Sequence, residues 1–210
     1  MQPNQDLERL VQARIEESAA VKLVLLVEEG ATRLIAEIAV DLATALRDGR
    51  RIFLFGNGGS AAAAQHIATE LAGKYLIHRR ALPAIALTAN TSWLTAIAND
   101  SSYEEVFARQ LEALASHGDV AIGISTSGDS PNVLRAIETA NAKGLVTLGL
   151  TGKNGGKLKS LAQHCICVPS EQTPRIQEIH ILLGHILCEI IEQELFAPVP
   201  EPSGEFANVT

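Results

Sequence analysis

The stretch that most limits how this chain can fold is Arg51-Ile52-Phe53-Leu54-Phe55-Gly56-Asn57-Gly58-Gly59-Ser60, followed by an alanine-rich run to Leu71. A short apolar run bounded by glycines reads as a strand buried on both faces, the habit of parallel sheets. Gly56, Gly58 and Gly59 permit a tight turn and a close approach of backbone to a ligand. Ser60 suits the N-cap of the helix that follows. Strand, Gly/Ser turn and helix start together favour an anion, because the first N–H groups of a helix are unpaired and its dipole is positive there. The helix carries His66 and Glu70, four apart and so on one face. Read alone, that pair is an acid/base couple, two metal ligands, or part of a solvated face. The turn itself matches neither the dinucleotide fingerprint nor the P-loop.

The rest of the chain repeats the strand–helix alternation. Two helices are expected first, over residues 5–29 and Ala31 to Leu46, with apolar positions at helical spacing. They precede the first strand, so their apolar faces need cover from the sheet or from another subunit; a helical oligomer interface is the expectation. Further strands are expected at Pro83–Thr88, Asp119–Ile124, Leu145–Leu150 and His164–Val168. Helices are expected at Trp93–Ala98, Tyr103–Ser116, from Pro131 to about Lys143, a short one ending at Ala162, and about Ile176–Phe196. The fold class is therefore α/β: one domain over residues 1–196, a five-stranded parallel sheet flanked by helices. The proline-rich end, 197–210, is expected to be a disordered tail.

Composition excludes several function classes. With 210 residues, 47% hydrophobic and 20% charged, the chain is globular rather than disordered. A net charge of −7 opposes binding to nucleic acid or an anionic membrane. One tryptophan and two tyrosines offer no evident stacking platform for single strands. The N-terminus lacks a signal-peptide core and no apolar run nears the ~18 residues of a membrane span, so a cytoplasmic protein is expected. Cys165, Cys167 and Cys188 read as ordinary buried thiols of a reducing compartment.

Ligands of parallel sheets sit beyond the C-terminal strand ends. Two turns fall there: Asn57–Ser60, and Ser125-Thr126-Ser127-Gly128-Asp129-Ser130 before Pro131, which suits a first helical turn. Hydroxyls beside a helix start can hold phosphate without a lysine, although Ser and Thr also favour plain capped turns. The last helix carries Gln177, His180, His185 and Glu192. Gln177 and His185 lie about 12 Å apart along a straight helix. One ion would join them only if chains share it or the helix begins after Gln177.

Assembled, these residues resemble the phosphoheptose isomerases of the sugar isomerase (SIS) domain superfamily. The likeness rests on GNGGSAAAAQHIATEL from Gly56, AND from Ala98, ISTSGDSPNV from Ile124, LTGKNGGKL from Leu150 and RIQEIHILLGHIL from Arg175. It implies isomerisation of sedoheptulose 7-phosphate to D-glycero-D-manno-heptose 7-phosphate, a precursor of bacterial surface heptose such as that of lipopolysaccharide. By resemblance, Glu70 and His185 are the acid/base pair. Asn57, Gly58, Gly59, Ser60, Glu70, Asn99, Asp100, Ser125, Thr126, Ser127, Ser130 and Gln177 contact substrate. Zinc is implied on His66, Glu70, Gln177 and His185, and a homotetramer is implied with sites at subunit contacts. Lys74 and Pro174 depart from the arginine and aspartate of some members. Ala86–Asp100 and the Leu195-Phe196 ending are also similar to a non-enzymatic tetramer that binds the replication initiator, but that relative lacks equivalents of Glu70 and His185. A phosphosugar-sensing module is a third reading.

Overall fold

A computed structural model describes residues 3–196; the expected tail lies outside the described residues. Five strands form one all-parallel sheet: β1 (Ile52–Gly56), β2 (Ala84–Ala86), β3 (Val120–Ser125), β4 (Val146–Gly152) and β5 (His164–Val168), in the order β2-β1-β3-β4-β5. β1 and β3 are buried at every position, as strands covered on both faces must be. Alternation then divides the core. Ile52, Leu54, Ile122, Leu148 and Ile166 face α2 (Ala31–Arg47), α3 (Gly59–Ala72) and α8 (Thr173–Leu195). Phe53, Phe55 and Ala121 face α5 (Ala108–Leu114), α6 (Pro131–Ala142) and Leu158 of α7 (Leu158–Leu161).

Several boundaries differ from expectation. β2 is three residues long, because at this edge only Ala84, Ile85 and Ala86 pair with β1. The expected helix over Tyr103–Ser116 is a 3-10 turn (Tyr103–Glu105) and then α5. Val106 and Phe107, both buried, join the two pieces with backbone still in the right-handed helical region. Ser60 is not an N-cap. Gly58, at φ 54°, is the cap, and the helix already begins at Gly59. α4 (Thr91–Asp100) extends past the expected end at Ala98 through Asn99 and Asp100, and is capped by Asn90 accepting from Trp93 N. α8 begins at Thr173 with Pro174 in its first turn, so Gln177 is inside the helix.

α1 (Pro3–Val27) packs lightly on this body. Arg175 donates to the Arg14 carbonyl at 2.6 Å, and Ser18 to Glu178 at 2.7 Å. Its Leu7, Leu10, Val11 and Ile15 are each at least half exposed. No described helix is long and apolar enough to cross a membrane. Cys188 is buried, whereas Cys165 and Cys167, on the edge strand, are only half-buried. Burial pushes the Cys165 and Cys188 thiols up to about 12, so neither is a reactive thiolate.

Candidate active site

The site lies along the seam between α3 and α8, which starts at the C-terminal edge of the sheet and runs back toward the N-terminal edge, where Leu82 N, just before β2, donates to the Leu71 carbonyl. The two helices run parallel: Gln177 meets Gly59, Gly184 meets Ile67, and Glu192 meets the segment after α3. A Cβ at Gly59 would collide with the Gln177 carboxamide, so glycine there lets α8 close over the start of α3. His66, Glu70 and His185 converge further along the seam. Their ligand atoms all lie within 4.8 Å of one another, and each residue is half-buried or more exposed than that. His66 Nε2 stands 2.8 Å from His185 Nε2 and 3.6 Å from Glu70 Oε1.

Two imidazole nitrogens that close must share a proton or a cation, since two bare lone pairs repel. Two imidazoles and a carboxylate are an ordinary zinc donor set, and donors on one tetrahedral zinc lie about 3.3 Å apart. The 2.8 and 3.6 Å separations bracket that value. The residues present therefore fit zinc. Gln177 borders the same cleft as His66, together with Ala62, Pro174 and Ile181. It lies two turns before His185 on α8 and is placed at the other end of the cleft.

The hydroxyl turn after β3 is closed on itself. Ser125 Oγ is 2.9 Å from Ser130 Oγ and 3.4 Å from Ser127 Oγ, and it accepts from Gly128 N at 3.2 Å. Ser127 Oγ accepts from Asp129 N, and the Thr126 carbonyl accepts from Gly152 N. Ser130 caps α6 without a side-chain bond to the helix, which leaves its hydroxyl to the cup. Gly128, at φ 73°, lies directly against the Gly155 carbonyl, so this cup is braced by the loop after β4.

Asn57 makes three of its four possible side-chain hydrogen bonds within the fold. Its amide and that of buried Asn132 exchange two bonds of 2.8 Å, and Tyr103 Oη donates to Asn57 Oδ1 at 3.1 Å. What Asn57 presents beyond β1 is thus backbone and one remaining Nδ2 hydrogen. Asn99 and Asp100 stand apart: Asn99 donates to Asp100 Oδ1, and Asp100 borders a different cleft with Glu105 and Arg135. Among the described residues, no hydrogen bond links them to the seam or the cup. Pro174 borders the cleft; Lys74 is exposed beyond α3.

The chain matches the SIS domain model over residues 17–152. It is 54% identical over 177 residues to a phosphoheptose isomerase from Aquifex aeolicus, covering 84% of this chain and 92% of that one. The chain belongs to the phosphoheptose isomerase family. Solved structures agree. A phosphoheptose isomerase from Neisseria gonorrhoeae superposes with a TM-score of 0.83 at 39% identity, covering 89% of this chain and 99% of that one. Another from Francisella tularensis gives 0.84 at 34%, covering 90% and 98%.

Within this phosphoheptose isomerase family member, sequence patterns missed Tyr75, Asn132, Tyr103 and the Arg79–Glu192 pair. Tyr75 stacks on His185, with ring centroids 5.5 Å apart at 23°. Glu192 falls seven residues after His185, hence on its face of α8, and that spacing was the one available signal. Nothing in the sequence pairs Asn57 with Asn132, 75 residues away.

Proposed function

We propose that this isomerase interconverts sedoheptulose 7-phosphate and D-glycero-D-manno-heptose 7-phosphate through an enediol, for heptose precursor synthesis in the cytoplasm. The observation that carries the reading is the convergence of His66, Glu70 and His185 in a chain whose high-identity relatives are named phosphoheptose isomerases. The initiator-binding and sensing alternatives have no comparable support.

In this reading the Ser125–Ser130 cup and the start of α6 hold the phosphate through hydroxyls and backbone N–H groups. The backbone of Asn57, Gly58 and Gly59, the Ser60 hydroxyl and the Gln177 carboxamide position the sugar. Asn99 and Asp100 complete the set only from another subunit or after loop movement. Glu70 takes a proton from C1 and returns it to C2. Its Oε1 faces His66, which leaves Oε2 for this task. His185 gives a proton to O2 as the enediol forms and takes one from O1 as the aldehyde forms. The net result moves one hydrogen from C1 to C2 and one from O1 to O2, and leaves both groups as they began. Zinc held by His66, Glu70 and His185 would supply Lewis acidity to the sugar oxygens; Gln177, two turns before His185 on α8, would join the ion only from another subunit.

The working unit is a homotetramer of a single domain over residues 1–196. Support for an assembly comes from the exposed Leu7, Leu10, Val11 and Ile15 on α1, which one chain leaves uncovered. The test is turnover of sedoheptulose 7-phosphate by purified protein, after chelation and again with added zinc, with light scattering for the oligomer. Product formation is expected. A folded oligomer giving no product in either state would overturn the reading.

A further inference from the structure

A buried ion pair outside the candidate site grips both of the site's helices. Glu192, with no exposed side-chain surface, accepts from Tyr75 N at 3.0 Å, Leu76 N at 2.8 Å, Ile77 N at 3.1 Å and Arg79 Nε at 2.9 Å. The Arg79 side chain is 1% exposed. Apart from a bond of Nη1 to the Arg80 carbonyl at 3.1 Å, its other bonds go to carbonyls at the end of α3. Nη2 donates to the Glu70 carbonyl at 2.8 Å, and Nη1 to those of Leu71 at 2.7 Å and Gly73 at 3.0 Å. A buried ion pair is tolerated only when such bonds compensate for its desolvation. This pair has that compensation, and its partners are the backbone of Glu70 and the backbone of Tyr75.

Tyr75 carries the restraint to His185. Its ring lies on the His185 imidazole, while His66 meets that imidazole edge-on, with centroids 5.1 Å apart at 65°. The second side-chain torsion of histidine is broad, so an imidazole on a helix flank does not hold one plane by itself. With Tyr75 on one face and His66 at the edge, it does.

We propose that Arg79, Glu192 and Tyr75 are positioning residues: the ion pair fixes the end of α3 and the 75–77 segment, and Tyr75 holds the His185 ring in the plane that aims Nε2 at His66 and the reacting oxygens. This rests on the reading that Glu70 and His185 carry the proton transfers. No part of it requires Tyr75, Arg79 or Glu192 to touch substrate.

The experiment compares Tyr75→Leu, Tyr75→Phe and Glu192→Gln in the intact protein, using histidine ring proton resonances and steady-state turnover of sedoheptulose 7-phosphate. In the parent protein the His185 ring protons should be shifted upfield by the Tyr75 ring. Tyr75→Leu should abolish that shift and Tyr75→Phe keep it. In turnover, Tyr75→Leu should lower kcat about 10- to 100-fold with KM within about threefold, the scale of a misplaced catalytic group. Tyr75→Phe should restore kcat to within about twofold, which a purely structural loss would not predict. Glu192→Gln, if it folds, should lose the shift although Tyr75 is intact. If it does not fold, the two Tyr75 variants decide. A folded Tyr75→Leu protein with unchanged kcat, or an unchanged His185 shift in every variant, would overturn the proposal. Absence of turnover in the parent protein, with the ring shifts behaving as expected, would instead refute the assigned reaction and leave the positioning intact.

Discussion

Gly184→Ala separates site geometry from stability. Gly184 precedes His185 on α8, and a Cβ there would lie 2.5 Å from Ile67 Cγ1 and 2.6 Å from Ile67 Cδ1. Carbon atoms pack best at roughly 3.5–4.0 Å, so the seam must open by about 1 Å or Ile67 must leave its rotamer. Ile67 is 3% exposed and β-branched, which restricts the second route. Overpacking of this kind costs about 1–3 kcal/mol. Alanine returns about 1 kcal/mol of helix propensity. The net destabilisation should be about 0–2 kcal/mol, measured by urea unfolding. Activity should respond more strongly. Opening the seam by about 1 Å separates His185 from His66 and Glu70, and a misplacement of that size costs about 100-fold in rate. Adding Ile67→Ala removes both clashing atoms and should recover part of the lost turnover, although it leaves a cavity. A Gly184→Ala protein that is more stable by the full helix-propensity gain and turns over normally would show that the seam is not tight, and the reasoning would fail.

Further outcomes follow from single groups. Glu70→Gln should fold and assemble normally yet lose about 10²–10⁴-fold in turnover of sedoheptulose 7-phosphate; a normal rate would remove Glu70 from the mechanism. Burial lowers His180 to about 4, against a weaker opposing pull from its bond to the Thr151 carbonyl. The unfolded chain therefore binds this proton more readily, and stability should fall as pH drops from about 6.5 to 4, by up to about 3 kcal/mol. His180→Leu should flatten that slope in urea titrations at several pH values. Burial raises the Glu192 carboxyl, but the three amides and Arg79 outweigh it and hold the group below its ordinary value. Its stabilisation should persist above about pH 4.5 and fade below that, an acid-limb contribution absent from Glu192→Gln. Asp119 accepts from Arg51 N and Ser116 N at 2.8 Å each while nearly buried. Asp119→Ala should cost about 2–3 kcal/mol in urea unfolding with kcat unaffected, since it sits at the opposite end of β3 from the serine cup.

The α/β alternation and all five strands were legible because buried parallel strands are short apolar runs punctuated by glycine, as at Phe53–Gly56 and Val120–Ile124. Boundaries failed where tertiary packing overrode local pattern. The β2 edge kept only three paired residues, and the expected Tyr103–Ser116 helix divides at Val106 and Phe107 into a 3-10 turn and α5. At the site, His66 and Glu70 were visible through their i,i+4 spacing, and the serine turn through its hydroxyl density. The approach of His185 to both depends on the parallel packing of α3 and α8, which no local spacing encodes. Tyr75 was invisible for the same reason. Its role depends on a backbone bond to Glu192, 117 positions away.

The parallel seam also fixes what can change in the chain's length. Gly59 meets Gln177, Ile67 meets Gly184, and Tyr75 meets Glu192, so the partners keep an offset of 117 or 118 residues from end to end. One residue inserted in α8 between Gln177 and His185 would turn every later side chain by about 100° and raise it by about 1.5 Å. His185 and Glu192 would leave the seam together while Gln177 stayed. Length variation is therefore confined to those loops between the two helices that bond to neither, and excludes segments such as Tyr75–Arg79 and Thr88 that hold them. The windows 59–75 and 177–192 behave as a matched pair of rulers, and a change of count in one is tolerated only with the same change in the other.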